Sequence, residues 1–512
     1  MSSFVLFTGY LGLVWYAVIL LVSYIGFFEI ILRYNSRKYL VSPDANGRKQ
    51  KSRPSDVLEG VTILRPIKGI DPELYSCLRS SFDQDYPTDK LQIIFCVDDP
   101  ADPAIPIIKK LMLEYPHIDS EIQFSDNFNP QTKKSDDYYG PNPKVNNLAK
   151  GFRHPKFDIL WIMDSNVWAS SNILKNSVKT LNENLNNGQQ LTERRKVRLV
   201  HHVPLALSIN NSSNNSDLEY SLSPTQSYDS YRRMPLSKKP RFLKKLGARL
   251  DEMFLFTSHS KFYIALNKLS IGACVNGKSN IYRRSDIDVS VANIPSKKSS
   301  FFSDESVIDD ARAISNKGPG HSIEFFSRYI GEDNMIAISL WDNLDSRTGQ
   351  TTDLVIQPLS GTDNSVRDYI NRRVRWLRVR KYMVMMATLI EPTTESIICG
   401  LIGNYGISTV LYNRVFTPWL FCVHMVIWIA IDYIQYYTLI GNITSTNNCT
   451  HQPEWLKNIP PTTRSFGSWL YIWVIREILA LPIWISAMVG HEIDWRGTPF
   501  RIKQDLTAEE LY

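Results

Sequence analysis

The sequence predicts an α/β domain with a mostly parallel sheet, fused to a helical transmembrane region. Between Val61 and Val203, short apolar runs of strand length alternate with segments of helical spacing, which is the pattern of βαβ units. Long apolar stretches lie outside this region, one at the N-terminus and two near the C-terminus. A chain of 512 residues is longer than one hydrophobic core usually holds, so we expect two or three structural units.

The composition argues against several kinds of partner. The net charge of +7 is modest, and the sequence has no Cys-His finger or basic-region pattern, so we expect no nucleic-acid partner. The six cysteines form no close CxxC pair, which indicates neither a zinc ribbon nor a disulfide framework.

The first apolar stretch predicts an N-terminal transmembrane helix over residues 1–32. Residues 4–28 carry no charge and are numerous enough to span a bilayer. Basic residues from Arg33 to Lys38 follow the stretch, and none precedes it. The positive-inside rule therefore places the N-terminus outside the cytosol and the linker, residues 33–60, inside it.

Residues 61–380 form the predicted cytosolic domain, in which acidic side chains follow two strands. Asp99 and Asp102 come just after the second strand, and Asp164 comes directly after the strand predicted at 157–163. Ligands of parallel α/β sheets bind at the carboxyl ends of strands, where carboxylates can hold ribose, uracil or a divalent metal that bridges a diphosphate. The alternative role for each residue is a helix N-cap, but the repetition at two strand ends favours a site.

A carboxylate pair and a cationic cluster lie farther along, next to the C-terminal apolar sequence. The pair is Glu332-Asp333, and the cluster ends at Trp376 after Arg372 and Arg375. Together they could supply a general base and a clamp for a polyanion, which suits transfer of a group from a nucleotide diphosphate to an acceptor dissolved in lipid. The alternatives are a solvated loop for the pair and a cytoplasmic membrane flank for the cluster.

Several short motifs follow one another along the chain. They are Leu64-Arg65-Pro66-Ile67-Lys68-Gly69, Asn142-Pro143-Lys144-Val145-Asn146-Asn147, Trp161-Ile162-Met163-Asp164-Ser165, Leu199-Val200-His201, Thr257-Ser258-His259, Glu332-Asp333 and Arg372-x-x-Arg375-Trp376. In this order they resemble the family of ceramide glucosyltransferases over nearly the whole chain. The resemblance implies the A-type nucleotide-sugar transferase fold, with a Rossmann-like, mostly parallel sheet, in an inverting membrane enzyme.

The resemblance also implies the residues of a site. Asp333 would be the catalytic general base. The positions implied for binding the donor and its surroundings are Asp99, Asp102, Lys144, Asp164, Glu332, His259, Arg372, Arg375 and Trp376. Among these, the three residues of the Arg372-x-x-Arg375-Trp376 signature would line the acceptor side and the leaving diphosphate, and His259 has no assigned role.

Asp164 is also the implied ligand of a divalent cation, Mg²⁺ or Mn²⁺. A full DxD motif would supply a second carboxylate, whereas this chain has Asp164-Ser165-Asn166. We therefore expect a weak affinity for metal, and metal dependence stays open.

The implied activity is transfer of glucose from UDP-glucose to the primary hydroxyl of ceramide with inversion, which gives β-glucosylceramide, the first step of glycosphingolipid synthesis. The expected partners are UDP-glucose, ceramide and the lipid bilayer. The expected location is a Golgi or endoplasmic reticulum membrane, with the catalytic domain facing the cytosol. Two alternatives remain: a processive polysaccharide synthase of the chitin or hyaluronan type, which would need more spans, and a catalytically inactive lipid-binding scaffold.

Two polar stretches interrupt the predicted domain. Residues 208–240 are rich in Ser and Asn and predict a disordered insertion, because they hold too little apolar surface to form a core. A second stretch, from Asn293 to Asp310, is a candidate for another insertion. Its pair Asp309-Asp310 is a rival for the catalytic role, but the pair at 332–333 fits the family context better.

The C-terminal sequence predicts membrane elements of two kinds. Residues 381–410 are moderately apolar and predict an interfacial or re-entrant segment. Residues 411–490 contain two stretches long enough to span a bilayer. We predict that the loop between them, 441–465, is lumenal and that the tail, 491–512, is cytosolic.

Charged residues inside those two stretches are costly unless they are paired. Asp432 lies in the first stretch and Arg476 in the second. We therefore predict an ion pair between Asp432 and Arg476 that joins the two helices.

Overall fold

The structure is a computed structural model that describes residues 2–35, 58–132, 135–182, 195–209, 246–297, 299–361, 364–445, 451–457, 459, 464–495, 498–503 and 505–511. Most of the predicted linker lies outside the described residues. Nearly all of the predicted insertion at 208–240 lies outside them as well.

The strands of the described residues form two sheets. In chain order they are β1 (Val61–Ile67), β2 (Leu91–Val97), β3 (Asp119–Phe124), β4 (Ile159–Met163), β5 (Trp168–Ala169), β6 (Lys196–Ile209), β7 (Ser279–Arg283), β8 (Ser346–Ser360), β9 (Glu492–Trp495), β10 (Thr498–Ile502) and β11 (Ala508–Glu510). The large sheet has the order β3-β2-β1-β4-β7-β6-β8-β5, and the last three strands form a small antiparallel sheet.

The helices surround the large sheet and continue into the apolar region. In chain order they are α1 (Ser3–Arg33), α2 (Leu74–Phe82), α3 (Ile105–Glu114), α4 (Pro143–Arg153), α5 (Ile173–Asn182), α6 (Gly247–Phe254), α7 (Ser260–Leu269), α8 (Arg284–Ala292), α9 (Glu305–Ser315), α10 (Ser322–Phe325), α11 (Glu332–Asn343), α12 (Val366–Met383), α13 (Met385–Ile390), α14 (Ser396–Tyr412), α15 (Pro418–Thr444), α16 (Glu454–Lys457) and α17 (Phe466–Val489). A π-helical turn, Leu255–His259, joins α6 to α7.

The large sheet is mostly parallel, so the predicted fold class is confirmed. β1 pairs in parallel with β2 and β4, β2 with β3, and β6 with β8, while β7 runs antiparallel to both β4 and β6. The apolar runs of β1, β2 and β4 are buried along almost their whole length. Runs of this kind are expected where helices cover both faces of a parallel sheet.

The second polar stretch packs into the folded domain, and its interpretation as an insertion stays a prediction. Phe302 and Val307 are 2% and 1% exposed in one hydrophobic core. The acidic residue Asp309 lies on the outer side of α9, where it pairs with Arg312 at 2.8 Å. The polar composition is that of the outer face of an amphipathic helix, which a count of polar residues does not distinguish from a loop.

Three helices are long and apolar enough to cross a membrane, namely α1, α15 and α17, and the pair formed by residues 385–394 and α14 is a fourth candidate with an 80° bend. α14 runs antiparallel to α1. Near the start of α1, the hydroxyl of Thr8 lies 2.7 Å from that of Tyr405, and farther along Trp15 donates to Thr393 at 3.0 Å. α14 therefore ends beside the N-terminus of α1.

α15 then returns along α1, which overturns the predicted lumenal position of the loop 441–465. At the end of α15, the amide of Asn442 donates to the carbonyl of Tyr34 at 2.8 Å, and the hydroxyl of Tyr34 in turn bonds Thr351 of the catalytic sheet at 3.1 Å. Arg464, at the other end of the loop, pairs with Glu252 of α6 at 2.7 Å. A loop held by the catalytic domain cannot lie across a membrane from it.

The prediction failed because it was based on apolar length alone. On that basis α15 and α17 are both predicted to cross the membrane, and α14 is not. Both ends of α17 contact the same side of the molecule. Ser468 accepts a hydrogen bond from Arg249 at 2.9 Å near its start, and the carbonyl of Ala487 accepts one from Lys381 of α12 at 3.2 Å near its end.

The predicted ion pair between Asp432 and Arg476 is also wrong. Asp432 binds Lys261 of α7 at 2.8 Å and accepts a hydrogen bond from the Trp473 indole at 2.9 Å. Arg476 pairs with Glu395 at 2.8 Å and with its neighbour in sequence. Lys261 and Glu395 lie outside the two long apolar stretches. A search for charges within those stretches therefore does not find them.

The buried pair Lys261–Asp432 joins the catalytic domain to α15 and yields a stability prediction. Its side chains are 1% and 0% exposed, so Lys261→Gln or Asp432→Asn leaves an unpaired charge and should destabilise the protein by about 3–5 kcal/mol. The measurement is the Tm of purified protein in detergent.

The double variant, which removes both charges, should recover part of that loss. Lys268→Gln is the matched control, because its pair with Glu29 is 52% exposed on the lysine side and should contribute at most about 1 kcal/mol. Equal Tm losses for Lys268→Gln and Lys261→Gln would contradict the prediction.

Candidate active site

The candidate site lies where β4 ends and β7 begins. Because β7 is antiparallel to β4, the loop before it meets the residues that follow β4, and the amide of Asp164 donates to the carbonyl of Lys278 at 3.2 Å. The N-termini of α4 and α11 meet at the same place, so their helix dipoles favour negative charge there.

The Lys144 ammonium is at the centre of the site. It lies 2.9 Å from Asp164 and 3.1 Å from Glu332, and it donates to the carbonyl of Gly277 at 2.9 Å. Lys144 is positioned by α4, whose N-cap Asn142 accepts from the Lys144 amide at 2.9 Å. One lysine thus connects the end of β4, the start of α11 and the loop before β7.

Asn142 also holds the carboxylate pair. Its side-chain amide donates to Glu332 at 2.9 Å and to the carbonyl of Tyr329 at 2.7 Å. Glu332 therefore has two donors, Asn142 and Lys144. Asp333, the next residue, faces Gly277, where an added Cβ would lie 3.1 Å from its carboxylate.

The electrostatics of the site separate the two acids. Burial raises the pKa of Asp164, but Lys144 and Lys278 outweigh it and lower that pKa to about 2. Burial, and then the charge of Glu332, raise the pKa of Asp333 to about 7, against the lowering effect of Lys144. Burial lowers the pKa of Lys144, but the carboxylates, Asp164 first, raise it above the ordinary lysine value. Asp164 is thus a fixed anion, and Asp333 can take up a proton near neutral pH.

Lys278 and Gly277 are site residues that the sequence analysis missed. Lys278 pairs with Asp164 at 3.1 Å and donates to Asn166 at 3.2 Å. The available signal was the polar Asn276-Gly277-Lys278 run directly before a short apolar strand. Its relevance depends on β7 being antiparallel, which the local pattern does not reveal.

Asp99 and Asp102 lie in the loop after β2, where they bind backbone amides. Asp99 accepts from the amide of Ala101 at 2.8 Å. Asp102 accepts from the amides of Ala104 and Gly69, both at 2.8 Å. Asp99 and Asp102 each bind the amide two residues farther along, within the loop, and the N-cap of α3 is Ala104. Through Gly69, Asp102 also holds the loop after β1. Their predicted contact with the nucleotide stays a prediction.

The signature residues of α12 separate in space. Arg372 forms an ion pair with the buried Asp251 and donates to Asn364 at 2.6 Å, so its guanidinium is occupied away from Lys144. Arg375 is half-buried on the same helix. Trp376 reaches the site, where it lines a cavity together with Lys278.

His259 lies outside the ionic cluster. Its ring is 5.6 Å from that of Phe254 and 5.1 Å from that of Tyr263, centroid to centroid. Burial, followed by Arg373 and Arg380, lowers the pKa of His259 to about 3. A neutral, enclosed imidazole suits packing of the π-helical turn better than binding of a phosphate.

A small cavity lies beside the ionic cluster, between Trp376 and Lys278. Its walls are largely apolar, with Leu205, Leu255 and Trp376 among them, and its polar side consists of Asn276, Lys278 and Gln357.

The same residues do not form a metal site by themselves. Among the described residues, no group of three His, Cys, Asp or Glu side chains is arranged to hold a metal ion. Both oxygens of Asp164 face ammonium groups, those of Lys144 and Lys278, where a cation would need further oxygen ligands.

A mostly parallel sheet, a buried acid near neutral pKa and paired lysines at the strand ends, next to apolar helices, define a membrane-associated glycosyltransferase. The sequence profile of Glycosyl transferase family 21 matches residues 18–210 and 320–508. The chain belongs to this family.

Two relatives match over the full length of the chain. The ceramide glucosyltransferase of Candida albicans is 57% identical, and the alignment covers 100% of this chain and 99% of that protein. The ceramide glucosyltransferase of Komagataella phaffii is 45% identical, covering 98% and 91%. These full-length matches favour glucosylceramide synthesis over both alternatives, the polysaccharide synthase and the inactive scaffold.

A more distant likeness concerns a solved structure. The mannosyltransferase PcManGT from Pyrobaculum calidifontis, in complex with GDP-Man and Mn²⁺, has 12% identity and a TM-score of 0.36, with 93% of this chain and 97% of that chain covered. At this distance the likeness carries no argument about the site.

Gly277 yields a prediction, because its backbone separates the base from the central lysine. In Gly277→Ala, the new Cβ would lie 3.1 Å from Asp333 and 3.2 Å from Lys144. At these distances the neighbouring groups must move by a few tenths of an ångström. A misplacement of about 1 Å can cost roughly 10²-fold in turnover, so kcat for sugar transfer should fall, by less than that, while Tm changes little.

Gly272→Ala is the matched control from the same loop, since nothing lies within 4 Å of its added Cβ. It should retain the turnover of the unmodified protein. A Gly277→Ala variant as active as Gly272→Ala would remove the loop from the site.

Proposed function

We propose that this protein transfers glucose from UDP-glucose to the primary hydroxyl of ceramide with inversion. The observation that carries the proposal is that one site holds two different acids: Asp333, which is buried and has a pKa near neutral, and Asp164, which is neutralised by Lys144. The full-length ceramide glucosyltransferase relatives support it. A single base and a single displacement invert the configuration of the sugar.

Asp333 is the proposed general base. An alcohol is a weak nucleophile, so a carboxylate within reach takes its proton as the hydroxyl oxygen attacks C1 of glucose. The new C1–O bond forms while the bond from C1 to the diphosphate breaks, and UDP leaves with the electron pair. A base with a pKa near the working pH combines a high ionised fraction with a useful proton affinity.

The paired lysines are the proposed electrostatic partners of the leaving diphosphate. Lys144 and Lys278 are fixed by Asp164, at 2.9 and 3.1 Å, so they require little reorganisation when negative charge develops. A divalent cation, Mg²⁺ or Mn²⁺, remains an expectation for the donor complex only, because the protein side chains alone do not form its site.

The cavity beside Trp376 is the proposed place of reaction between donor sugar and lipid acceptor. Its polar residues adjoin Asp164 through Lys278, and its apolar walls exclude water. Exclusion of water strengthens the interactions of the ionic cluster and protects the transferring sugar from hydrolysis.

We also propose an orientation in the Golgi or endoplasmic reticulum membrane. The basic end of α1 contacts the α/β domain through Tyr34, and together with the positive-inside rule this contact supports a cytosolic position for that domain. α1, α14 and α15 then cross the membrane, and both ends of α17 stay on the cytosolic side.

Asp333→Asn tests the assignment of the base. The variant keeps the shape of the side chain but cannot accept the proton, so kcat should fall by roughly 10²–10⁴-fold while the affinity for UDP-glucose is retained. The measurement combines turnover with labelled UDP-glucose and ceramide, identification of the lipid product, and nucleotide binding.

Asp309→Asn is the control, because Asp309 is exposed on α9 and should tolerate the change. The wild-type rate should also rise with pH through about 7 as Asp333 loses its proton, and this acidic limb should disappear from the residual activity of Asp333→Asn. Near-normal turnover in Asp333→Asn would reject the assignment.

Cysteine labelling tests the orientation. In a background without accessible native cysteines, Glu454→Cys on α16 should react with a membrane-impermeant maleimide in sealed microsomes whose cytosolic face is outside. Arg414→Cys, between α14 and α15, should react only after permeabilisation. The reverse pattern would refute the orientation, and labelling of both positions without permeabilisation would refute the crossings by α14 and α15.

A further inference from the structure

The loop of residues 270–278 joins α7 to β7 and carries two groups of the candidate site. The carbonyl of Gly277 accepts from Lys144 at 2.9 Å, and the ammonium of Lys278 lies 3.1 Å from Asp164. Fixed charges and dipoles act on a reaction only from the positions in which the protein holds them. Residues that hold this loop therefore influence the reaction without touching the substrates.

Asn267, near the end of α7, holds the loop through its side-chain amide. Its Nδ2 donates to the carbonyl of Cys274 at 3.0 Å and to the carbonyl of Tyr263, one turn back on the same helix, at 2.9 Å. Carbonyl oxygens can only accept, so both contacts require the NH₂ group on this side of the amide. The Oδ1 atom of Asn267 therefore faces the other way, toward β6.

His201 of β6 completes the contacts of this asparagine. Its Nε2 lies 3.0 Å from Oδ1 of Asn267, and its Nδ1 lies 2.6 Å from the hydroxyl of Tyr263. Burial lowers the pKa of His201 to about 4, so the ring is neutral and carries one proton. Because Oδ1 is an acceptor, that proton is on Nε2, and Nδ1 accepts from Tyr263. The hydrogen bonds thus run in one direction, from Tyr263 through His201 and Asn267 to the loop.

The start of this hydrogen-bonded chain is enclosed by the protein. His201 is 0% and Tyr263 5% exposed, and the Tyr263 ring stacks on that of His259 at 5.1 Å between centroids. Burial raises the pKa of Tyr263, and a hydrogen bond with the backbone of Asn276 lowers it, so the tyrosine hydroxyl also contacts the loop. Since β6 lies between β7 and β8, the chain relates the position of the loop to an inner strand of the sheet.

We propose that Asn267 is a positioning residue for sugar transfer, and that Tyr263 and His201 fix its orientation. The inference rests on the proposed function, because the position of the loop matters for catalysis only if its lysine stabilises the leaving diphosphate. Asn267 acts through the loop: it keeps the carbonyl of Gly277 and the ammonium of Lys278 at their places in the ionic cluster.

Asn267→Asp is the first test, because it replaces the donor by an acceptor and keeps the shape of the side chain. The carboxylate can still accept from His201, but it repels the carbonyl of Cys274, so the loop should move. In purified full-length protein, kcat with UDP-glucose and ceramide should fall by about tenfold or more, since a misplacement of about 1 Å can cost roughly 10²-fold. The KM for ceramide should stay within about twofold, because the loop presents its charge to the donor.

Thr348→Val is the matched control. The hydroxyl of Thr348 donates to Oδ1 of Asn267 at 3.4 Å. The change therefore removes one hydrogen bond of the same asparagine, keeps a branched side chain in β8 and leaves the donor to the loop in place. Its kcat should stay within about twofold of the wild type. Equal losses of kcat in Thr348→Val and Asn267→Asp would overturn the inference, because the loss would then not depend on the contact with the loop.

Alkylation of cysteines is the second test, and it does not depend on catalysis. Cys274 is half-buried in the loop, whereas Cys77 of α2 and Cys96 of β2 are buried in the α/β domain. The rate of reaction with a maleimide is measured for each cysteine by peptide mass spectrometry. In Asn267→Asp the rate should rise by about tenfold at Cys274 and stay unchanged at the other two, as expected for local release of a loop. An unchanged rate at Cys274, or equal increases at all three cysteines, would overturn the inference.

Tyr263→Phe tests the other end of the chain. It removes one oxygen and keeps the ring that packs on His259, but His201 loses the donor that selects its tautomer. The kcat should fall about fivefold, which corresponds to one neutral hydrogen bond. Combined with Asn267→Asp, it should lower kcat by less than about twofold more, because both residues act through one network. Losses that multiply in the double variant would overturn the role of Tyr263.

The proposed function and this inference fail differently. If the wild type makes no glucosylceramide, the proposed function is wrong, while selective alkylation of Cys274 in Asn267→Asp still supports the anchoring of the loop. If the wild type makes glucosylceramide and Asn267→Asp keeps the kcat of the wild type, the reaction stands and the positioning role is wrong.

Discussion

The ammonium of Lys144 is the interaction on which the candidate site depends. It connects Asp164, Glu332 and the carbonyl of Gly277, all within 3.1 Å. These groups come from three segments that are distant in sequence, and without the lysine the carboxylates would repel one another in a partly dry site. The positive charge therefore stabilises the packing of these three segments against one another. Asp333 follows Glu332 directly, so it lies next to the same cluster.

The same lysine explains why two adjacent acids can have different roles. Glu332 receives both available donors, Lys144 and Asn142, whereas burial and the charge of Glu332 dominate at Asp333 and raise its pKa. The acids whose pKa values are separated are Asp164, whose pKa the lysines lower, and Asp333, whose pKa burial raises, and such a separation is a frequent basis for acid-base assignment. The proposed base thus follows from the neighbours of Glu332 as much as from Asp333 itself.

The sequence predicted those parts of the site that follow strands or open helices in the expected direction. Asp164 follows a parallel strand, and Glu332 and Asp333 open a helix, so their positions could be anticipated from pattern and motif. The position of Lys278 could not be anticipated. Because β7 is antiparallel to β4, the residues just before β7 lie beside the residues just after β4. The sequence also could not show that the guanidinium of Arg372 is held by Asp251, and the predicted contact of Arg372 with the leaving diphosphate stays a prediction.

The membrane region was predicted less well for a related reason. Apolar length identifies a helix that can enter lipid, but the side on which each end lies depends on contacts such as that between Arg464 and Glu252. α12 packs against the end of α17, where Lys381 donates to the carbonyl of Ala487 at 3.2 Å. The same helix also reaches the start of α11, because Val379 and Met383 lie against Gly331. The segment that carries the carboxylate pair is therefore coupled to an apolar helix through α12. Apolar length shows that a helix can enter lipid but not which partner each of its ends meets, so this coupling could not be predicted from the sequence.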